Sequence, residues 1–322
     1  MPSPAHPARR EAHPSGPAPT DPTSVPTALP PSEASAPPPG PFWLRALAHL
    51  PLPLWRALGA LVALLLLLLA KRRRQIARRN LQLCFPEATP WQRRRWLWQA
   101  FRHLAQSALD RVWLWHGSAA LVRQRVRLDD PQQVLQRPGP MVYFAPHFSG
   151  LDACWTRITL EVERPWITVY SPQKRPWLER WVNQGRARFG APRLVSRRES
   201  IRPVLRGLHE GAALMLLPDM DLGAHNAVFV PFFGVPAATV TALSRYASAA
   251  QAPVASLFCR MTPSGYSLEV SPLWADFPSG DDAADAQRMN ATLETAVRQT
   301  PGQYHWLHRR FKSRPPGQAS VY

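Results

Sequence analysis

The stretch Phe42–Ala70, FWLRALAHLPLPLWRALGALVALLLLLLA, runs without a break into KRRRQIARR, and no other feature restricts the fold of this chain as much. A polyleucine run of this kind suits the interior of a globular domain poorly, because an ordinary surface helix keeps one face polar. Its uninterrupted part, Ala57–Ala70, has 14 residues, short of the roughly 20 needed to cross a bilayer core. Leu50–Trp55 supplies the missing length if Arg56 extends its guanidinium to an interface. Two arrangements stay open, a single spanning helix and a helix lying in one leaflet. Lys71–Arg79 is the strongest positive flank in the chain, and such flanks stay cytoplasmic. Both arrangements therefore put everything after Lys71 on the cytoplasmic side.

Residues 1–41 are rich in Pro, Ala and Ser, as in PSEASAPPPGP, and hold almost no bulky aliphatics. Such a segment cannot bury enough apolar surface to offset the entropy of ordering, so it is expected to be disordered. No short apolar stretch followed by a small-residue cleavage site stands at the start, which argues against a cleaved signal peptide. The formal net charge is +18 over 322 residues, a field that attracts polyanions. No helix-turn-helix, RNP or zinc pattern appears, and with an apolar anchor alongside, an anionic membrane is the more economical partner than nucleic acid. Cys84, Cys154 and Cys259 show neither close spacing nor an even count. They read as reduced thiols in a cytosolic environment, with the packing role of small core residues.

Trp91–His116 is helical in pattern, with Trp, Arg and Leu interleaved. Trp91, Trp98 and Trp113 suit either a helix at a headgroup layer or an ordinary amphipathic helix packed on the domain. Beyond it, Met141–Ala145, Trp166–Tyr170, Ala213–Leu217, Val254–Cys259 and Tyr266–Val270 read as strands. Helical candidates lie near Asp152–Glu163, Pro176–Phe189, Ser200–Glu210, Thr239–Ala250 and Ala284–Gln299. The alternation predicts one α/β domain, its sheet mainly parallel or mixed and flanked by helices on both faces, preceded by an N-terminal membrane helix. The expected division is a tail at 1–41, an anchor at 42–70, a domain at 71–317 and a short C-terminal tail at 318–322.

The sharpest chemical feature is APHFSGLD, where four residues separate His147 from Asp152 at the end of an expected strand. Reactive groups gather at the carboxyl ends of strands in open α/β sheets. A carboxylate one turn along can fix the imidazole tautomer and stabilise the imidazolium, leaving the other nitrogen as a general base. Taken alone, the pair fits a structural loop histidine as well. A second cluster, Lys174, Arg175, Arg186, Arg188, Arg193, Arg197 and Arg198, lies between the second and third strands. Arginine forks match phosphate, and the competing reading is a solvated basic face. The third feature is LLPDMDLG, in which Asp219 and Asp221 either bind a divalent metal or orient the arginines. No further carboxylate or histidine falls at a convincing ligand spacing, so the second role is preferred and no metal is expected.

Read together, these segments resemble the lipid A biosynthesis acyltransferases, within the wider glycerolipid acyltransferase superfamily. The resemblance runs from about Phe42 to Gly317. It is carried, in order, by the apolar anchor with RRNLQLCFPE (Arg78–Glu87), His147 with Asp152, QGRARFG (Gln184–Gly190), Arg197 in SRRES, PDMDLG (Pro218–Gly223), VFVPFFGVPAAT (Val228–Thr239) and QYHWLHRRFKSRPPG (Gln303–Gly317). It implies an acyltransferase domain in which His147 is the general base and Asp152 its partner, a position where many relatives carry Glu. It also implies that Arg197 meets substrate phosphate, that Arg186 is the arginine of the family's Gly-Arg pair, and that Asp219 stands where an acidic residue is kept. Relatives often read Tyr-Arg-Pro where this chain has Tyr170-Ser171-Pro172, so one cation is missing, and Lys174 or Arg175 is the available substitute.

The chemistry so implied is transfer of a fatty acyl group from an acyl carrier protein thioester to a hydroxyl on an acyl chain of a lipid A precursor. It takes place at the cytoplasmic face of the inner membrane, without cofactor or metal. Another membrane lipid, a glycerophospholipid or an ornithine-type lipid, is the alternative acceptor, and Ser171 is the residue that favours it. The oxyanion donors are expected among the amides near Ser149 and Gly150 or a nearby arginine. Ser149 lacks the GxSxG elbow of a nucleophilic serine. Arg309, Arg310, Lys312 and Arg314 form a basic segment suited either to docking an acidic carrier or to a structural role.

Overall fold

The computed structural model describes residues 41–225 and 227–322, so the expectation of disorder for the tail falls, Pro41 apart, outside the described residues. The apolar run forms α1 (Phe42–Ala48) and α2 (Leu52–Leu69), and the basic block forms α3 (Lys71–Cys84). Pro51 caps α2 and Pro53 sits in its first turn, where a missing N–H costs nothing. The 18 residues of α2 give a length of about 27 Å at about 1.5 Å per residue, close to the roughly 30 Å of a bilayer core.

One stripe of α2, Leu52, Trp55, Gly59 and Ala63, is buried. It packs on α4 (Pro90–His116), which begins in a capping box between Thr89 and Gln92. The approach is close enough that a Cβ on Gly59 would collide with Gln106. On the opposite face Leu54, Leu58, Leu61, Leu65 and Leu68 are exposed. Arg56 does not reach out to an interface. Its Nη1 donates to Asp110 of α4 at 2.6 Å, and Asp110 also accepts from Tyr266 Oη at 2.6 Å and Trp113 Nε1 at 2.8 Å. Asp110 is fully buried, so burial of the arginine is matched by a carboxylate that itself needs the charge. The two readings of the Trp-rich helix resolve toward packing. Trp113 is fully buried and Trp98 is partly buried against the core, while Trp91 stays exposed beneath Arg95.

The rest of the chain runs α5 (Ala119–Arg125), β1 (Val126–Asp129), β2 (Met141–Phe144), α6 (Leu151–Glu161), β3 (Trp166–Tyr170), α7 (Pro176–Arg186), β4 (Arg193–Ser196), α8 (Arg202–His209) and β5 (Ala213–Leu216). A hairpin of β6 (Ala227–Phe232) and β7 (Val235–Val240) follows, then α9 (Ala242–Ala250), β8 (Val254–Thr262), β9 (Gly265–Val270) and α10 (Asp282–Gln299). The helix expected from Thr239 starts only at Ala242, because Thr239 and Val240 belong to the hairpin. Seven strands form one sheet in the order β1-β9-β8-β2-β5-β3-β4. All neighbours are parallel except β8 and β9. This is the mostly parallel α/β sheet expected. Alternate residues of β2 enter opposite cores, Val142 and Phe144 on one face, Met141 and Tyr143 on the other. That explains the continuous apolar run, since a parallel sheet is covered on both faces.

Topology decides where the site forms. From β2 the chain moves to β3 and β4 on one side, while from β5 it moves through the hairpin to β8 and β9 on the other. The connections diverge where β2 and β5 lie side by side, and a crevice opens at the carboxyl ends of such strands.

Candidate active site

Parallel pairing of β2 with β5 puts Phe144 opposite Leu216, and the Ala145 amide extends the ladder to the Leu216 carbonyl at 2.9 Å. His147 and Asp219 each follow three residues beyond that paired position, so the register delivers them to the same place. Asp219 Oδ1 lies 2.7 Å from His147 Nδ1, and Oδ2 accepts the His147 backbone N–H at 3.0 Å. An ionised carboxylate only accepts, so Nδ1 carries the proton and Nε2 keeps a lone pair toward the crevice. Asp219 is fully buried. Burial alone would raise its pKa, but His147, through its charge when the ring is protonated and through its two hydrogen bonds, outweighs it with Arg310 beyond and holds the carboxyl down at about 2. The imidazole thus faces a permanent anion.

Asp152, expected on spacing to hold the ring, points elsewhere. It occupies the first turn of α6, where Arg111 Nε donates to Oδ2 at 2.8 Å and Arg186 donates to Oδ1 from Nε at 3.2 Å and Nη2 at 3.1 Å. Burial opposes its charge, yet Arg111 and Arg186 hold its pKa well below the ordinary carboxylate range. The physical reason for the exchange is that two guanidiniums, from α4 and from the end of α7, converge on this oxygen pair. The neighbouring strand has already filled Nδ1 of His147. Two cations on one anion leave the cluster a net positive charge.

A cavity of about 540 Å³ opens over these groups. Its polar lining includes His147, Asp152, Arg111, Arg186 and Arg197, while Leu104, Trp155, Val195, Val204 and Met215 give it an apolar wall. Arg197 is exposed at the rim, and no carboxylate pairs with it among the described residues. Its backbone N–H donates to the Tyr170 carbonyl at 2.9 Å, so its side chain starts beside Ser171. Lys174 and Arg175 are exposed and lie outside the cavity lining. Arg188 donates to the carbonyls of Leu114 and Gly117, and Arg193 to that of Pro203, so neither belongs to the site. The acidic pair does not organise the arginines as expected. Asp219 serves His147, while Asp221 accepts from the backbone and hydroxyl of Ser313 at 2.6 and 2.9 Å. Among the described residues no three His, Cys, Asp or Glu side chains gather as a metal-ligand set.

The loop after β2 is fixed by the closing segment. The Ser149 amide and hydroxyl both donate to the Gln303 carbonyl at 2.9 Å, and the Phe148 amide donates to Pro146 at 2.7 Å. The Ser149 amide is therefore not the oxyanion donor expected of it, nor is its hydroxyl a free nucleophile. The basic segment near the C-terminus is largely structural. Arg310 is buried and donates to the Ala238 carbonyl at 2.8 Å and to Thr239 at 3.0 Å, and Arg314 donates to the Pro236 carbonyl. Sequence reasoning passed over Arg111, which looks like one more cation on a Trp- and Arg-rich helix. It passed over Asn80 too, which pins the closing segment by donating to the carbonyls of Trp306 and His308 at 2.8 and 2.7 Å.

Residues 40–313 match the family profile of the bacterial lipid A biosynthesis acyltransferases. The chain is 31% identical over 291 residues to a lipid A biosynthesis palmitoleoyltransferase of Escherichia coli K12, covering 88% of this chain and 92% of that protein. It is also 31% identical over 292 residues to a lipid A biosynthesis lauroyltransferase of the same organism, with the same coverage. A lipid A biosynthesis myristoyltransferase, again from that organism, is 28% identical over 259 residues, covering 79% and 80%. The chain belongs to the bacterial lipid A biosynthesis acyltransferase family.

Proposed function

We propose that the protein transfers a fatty acyl group from an acyl carrier protein thioester to a hydroxyl on an acyl chain of a lipid A precursor, with His147 as general base oriented by Asp219. The observation that carries this reading is the pairing of Nδ1 with a fully buried carboxylate, which leaves Nε2 beside a cavity with an apolar wall. As the acceptor oxygen attacks the thioester carbon, its proton passes to Nε2. Asp219 offsets the charge that appears on the ring. Collapse of the tetrahedral oxyanion breaks the carbon–sulfur bond, and the leaving thiolate takes the proton back. His147 is then neutral for the next turnover.

The cations have separate tasks in this scheme. Arg111 and Arg186, bound to Asp152, lend the cavity a fixed positive charge near the base. Arg197, with no carboxylate partner among the described residues and starting beside Ser171, is suited to meet an acceptor phosphate and supplies the cation that Ser171 omits. Lys174 and Arg175, outside the cavity lining, are left as surface charge that favours an anionic membrane. The exposed leucine face of α2 enters the apolar layer of the inner membrane while its buried stripe stays on α4, which carries Arg93, Arg94, Arg95 and Arg102 and does not belong in hydrocarbon. On this reading α3 and the residues after it lie on the cytoplasmic side, where the carrier thioester is available.

The test is transfer in detergent or vesicles from carrier thioesters of several chain lengths to a tetra-acylated lipid A precursor, followed by product mass. A gain of one acyl chain, lost in His147→Ala, is the expected result. Undiminished transfer by His147→Ala would overturn the mechanism, and transfer only to a glycerophospholipid or aminolipid would replace the acceptor.

A further inference from the structure

A second imidazole stands beside the base. His305 lines the same cavity, its ring centroid 6.3 Å from that of His147, and its backbone N–H donates to the His147 carbonyl at 3.1 Å. No hydrogen bond reaches either nitrogen of its ring among the described residues, although the chain around it is tightly held. Tyr304 and Trp306 are buried on either side. Gln303 clamps strand β8 through Met261, accepting its amide at 2.6 Å and donating to its carbonyl at 2.9 Å. Trp306 Nε1 donates to the Pro301 carbonyl at 2.6 Å. A polar ring with no hydrogen-bond partner among the described residues, fixed on a tightly held segment and lining the cavity, is organised for something that arrives there.

Resting on the acyl-transfer reading above, we propose that His305 is the oxyanion donor, its ring N–H aimed at the thioester carbonyl oxygen as His147 deprotonates the acceptor hydroxyl. In the loop the Ser149 amide is held by Gln303 and the Phe148 amide by Pro146, and Arg111 and Arg186 direct donors to Asp152, whereas the His305 ring has no such commitment among the described residues. Burial lowers the His305 imidazole to about 3, helped by His147, His308 and Arg73 and opposed by Asp219. A ring that is neutral at working pH donates one hydrogen bond and does not compete with His147 for the proton. The bond balance is that of the scheme above. The carbonyl electron pair moves onto oxygen as the new carbon–oxygen bond forms, the oxygen accepts the His305 N–H without taking its proton, and the pair returns when thiolate leaves.

The experiment is the same acyl-transfer assay run with wild type, His147→Ala, His305→Leu and His305→Gln, with kcat, KM, the pH profile and thermal unfolding for each. Loss of one oxyanion donor lowers kcat by about 10²–10³-fold, and this is the expected effect of His305→Leu, with KM little changed. His305→Gln, which keeps a donor, should recover at least a tenth of the wild-type rate. The shape of the pH profile should not change, because the base is untouched. If His305→Leu does not fold, His305→Met provides a donorless side chain of flexible shape. Three results overturn the proposal: a donorless variant within threefold of wild-type kcat, a change confined to KM, or an equal fall in the donorless and Gln variants. Absence of transfer by wild type would instead defeat the proposed function, and this role with it.

Discussion

Asp219 holds His147 at two points, 2.7 Å from Nδ1 and 3.0 Å from the backbone nitrogen, so one buried carboxylate fixes both the ring and the loop that carries it. Asp219→Asn keeps the size but removes the charge and can offer N–H where the ring needs an acceptor. The expected fall in kcat is about 10²–10⁴-fold, the range seen when a base loses its orienting anion, with KM within a few-fold. The check is steady-state acyl transfer, and an activity within threefold of wild type would remove Asp219 from the reaction.

Asp152 predicts a different signature. It touches two guanidiniums and not the ring, so Asp152→Asn should lower stability before it lowers the chemical step. Removing one partner of a largely buried ion pair costs about 3–5 kcal/mol when the other is stranded. A clear drop in melting temperature is expected, together with weaker acceptor binding as Arg186 loses its anchor. Unfolding by circular dichroism beside KM for the acceptor separates the two. A large loss of kcat with unchanged stability would return Asp152 to the role its spacing suggested.

The contrast between these carboxylates marks the limit of what the sequence could disclose. His147-x4-Asp152 is local, and a reader of spacing pairs residues that are one turn apart. Asp219 reaches the ring only because β5 inserts between β2 and β3, a long-range event that no local pattern encodes. β2, β3, β5 and β8 were legible because they are mostly apolar and largely buried, and β9 (GYSLEV) because its apolar residues alternate with polar ones. β1 (VRLD) and β4 (RLVS) lie at the sheet edges, are four residues long and include charged residues, so neither stands out as an apolar run. The hairpin was hidden by Pro231 and Pro236, which face each other in the β6–β7 pairing. Arg310 reads as surface charge in HRRFK, yet it is buried because the carbonyl of Ala238 and the side chains of Thr239 and Asn290 accept its donors.

Arg197 and Arg186 should separate along the same line. Among the described residues Arg197 has no carboxylate partner, so Arg197→Ala is expected to leave thermal stability within about 0.5 kcal/mol, as for most surface changes. It should raise acceptor KM by about tenfold, the equivalent of a charge-assisted hydrogen bond of about 1.5 kcal/mol. The effect should vanish with an acceptor lacking phosphate. If KM for phosphorylated and dephosphorylated acceptors rises equally, Arg197 does not read the phosphate.

The docking of α2 gives a prediction independent of catalysis. Arg56→Met strands Asp110, which is fully buried and, among the described residues, would keep only Tyr266 and Trp113 as side-chain donors. A loss of about 3–5 kcal/mol is expected, seen as a lower melting temperature in detergent. Gly59→Leu should separate α2 from α4, because even a Cβ collides with Gln106. Increased protease access between α2 and α3 would report it, and an unchanged digestion pattern would show that the helices repack at no cost.

Acid should destabilise the fold through histidines buried as neutral rings. Burial lowers His103 to about 4, the bond to the Gly302 carbonyl only partly opposing it, and it lowers His308 to about 4 and His305 to about 3. Unfolded histidine titrates near about 6.5, so between about 6.5 and 4 the unfolded chain binds more protons than the native one. Stability then rises with pH, by about 1.4 kcal/mol per unit for each proton of difference. It is complete above the unfolded value and lost as pH falls toward the native ones. Asp219, lowered to about 2, adds a second loss of the same sign between about 3.9 and 2. Melting temperatures from pH 7.5 to 4.5 should fall steadily. His103→Gln, whose side-chain amide can still donate to Gly302 but does not titrate, should fall less steeply. Parallel curves for the two proteins would show that His103 is not buried neutral.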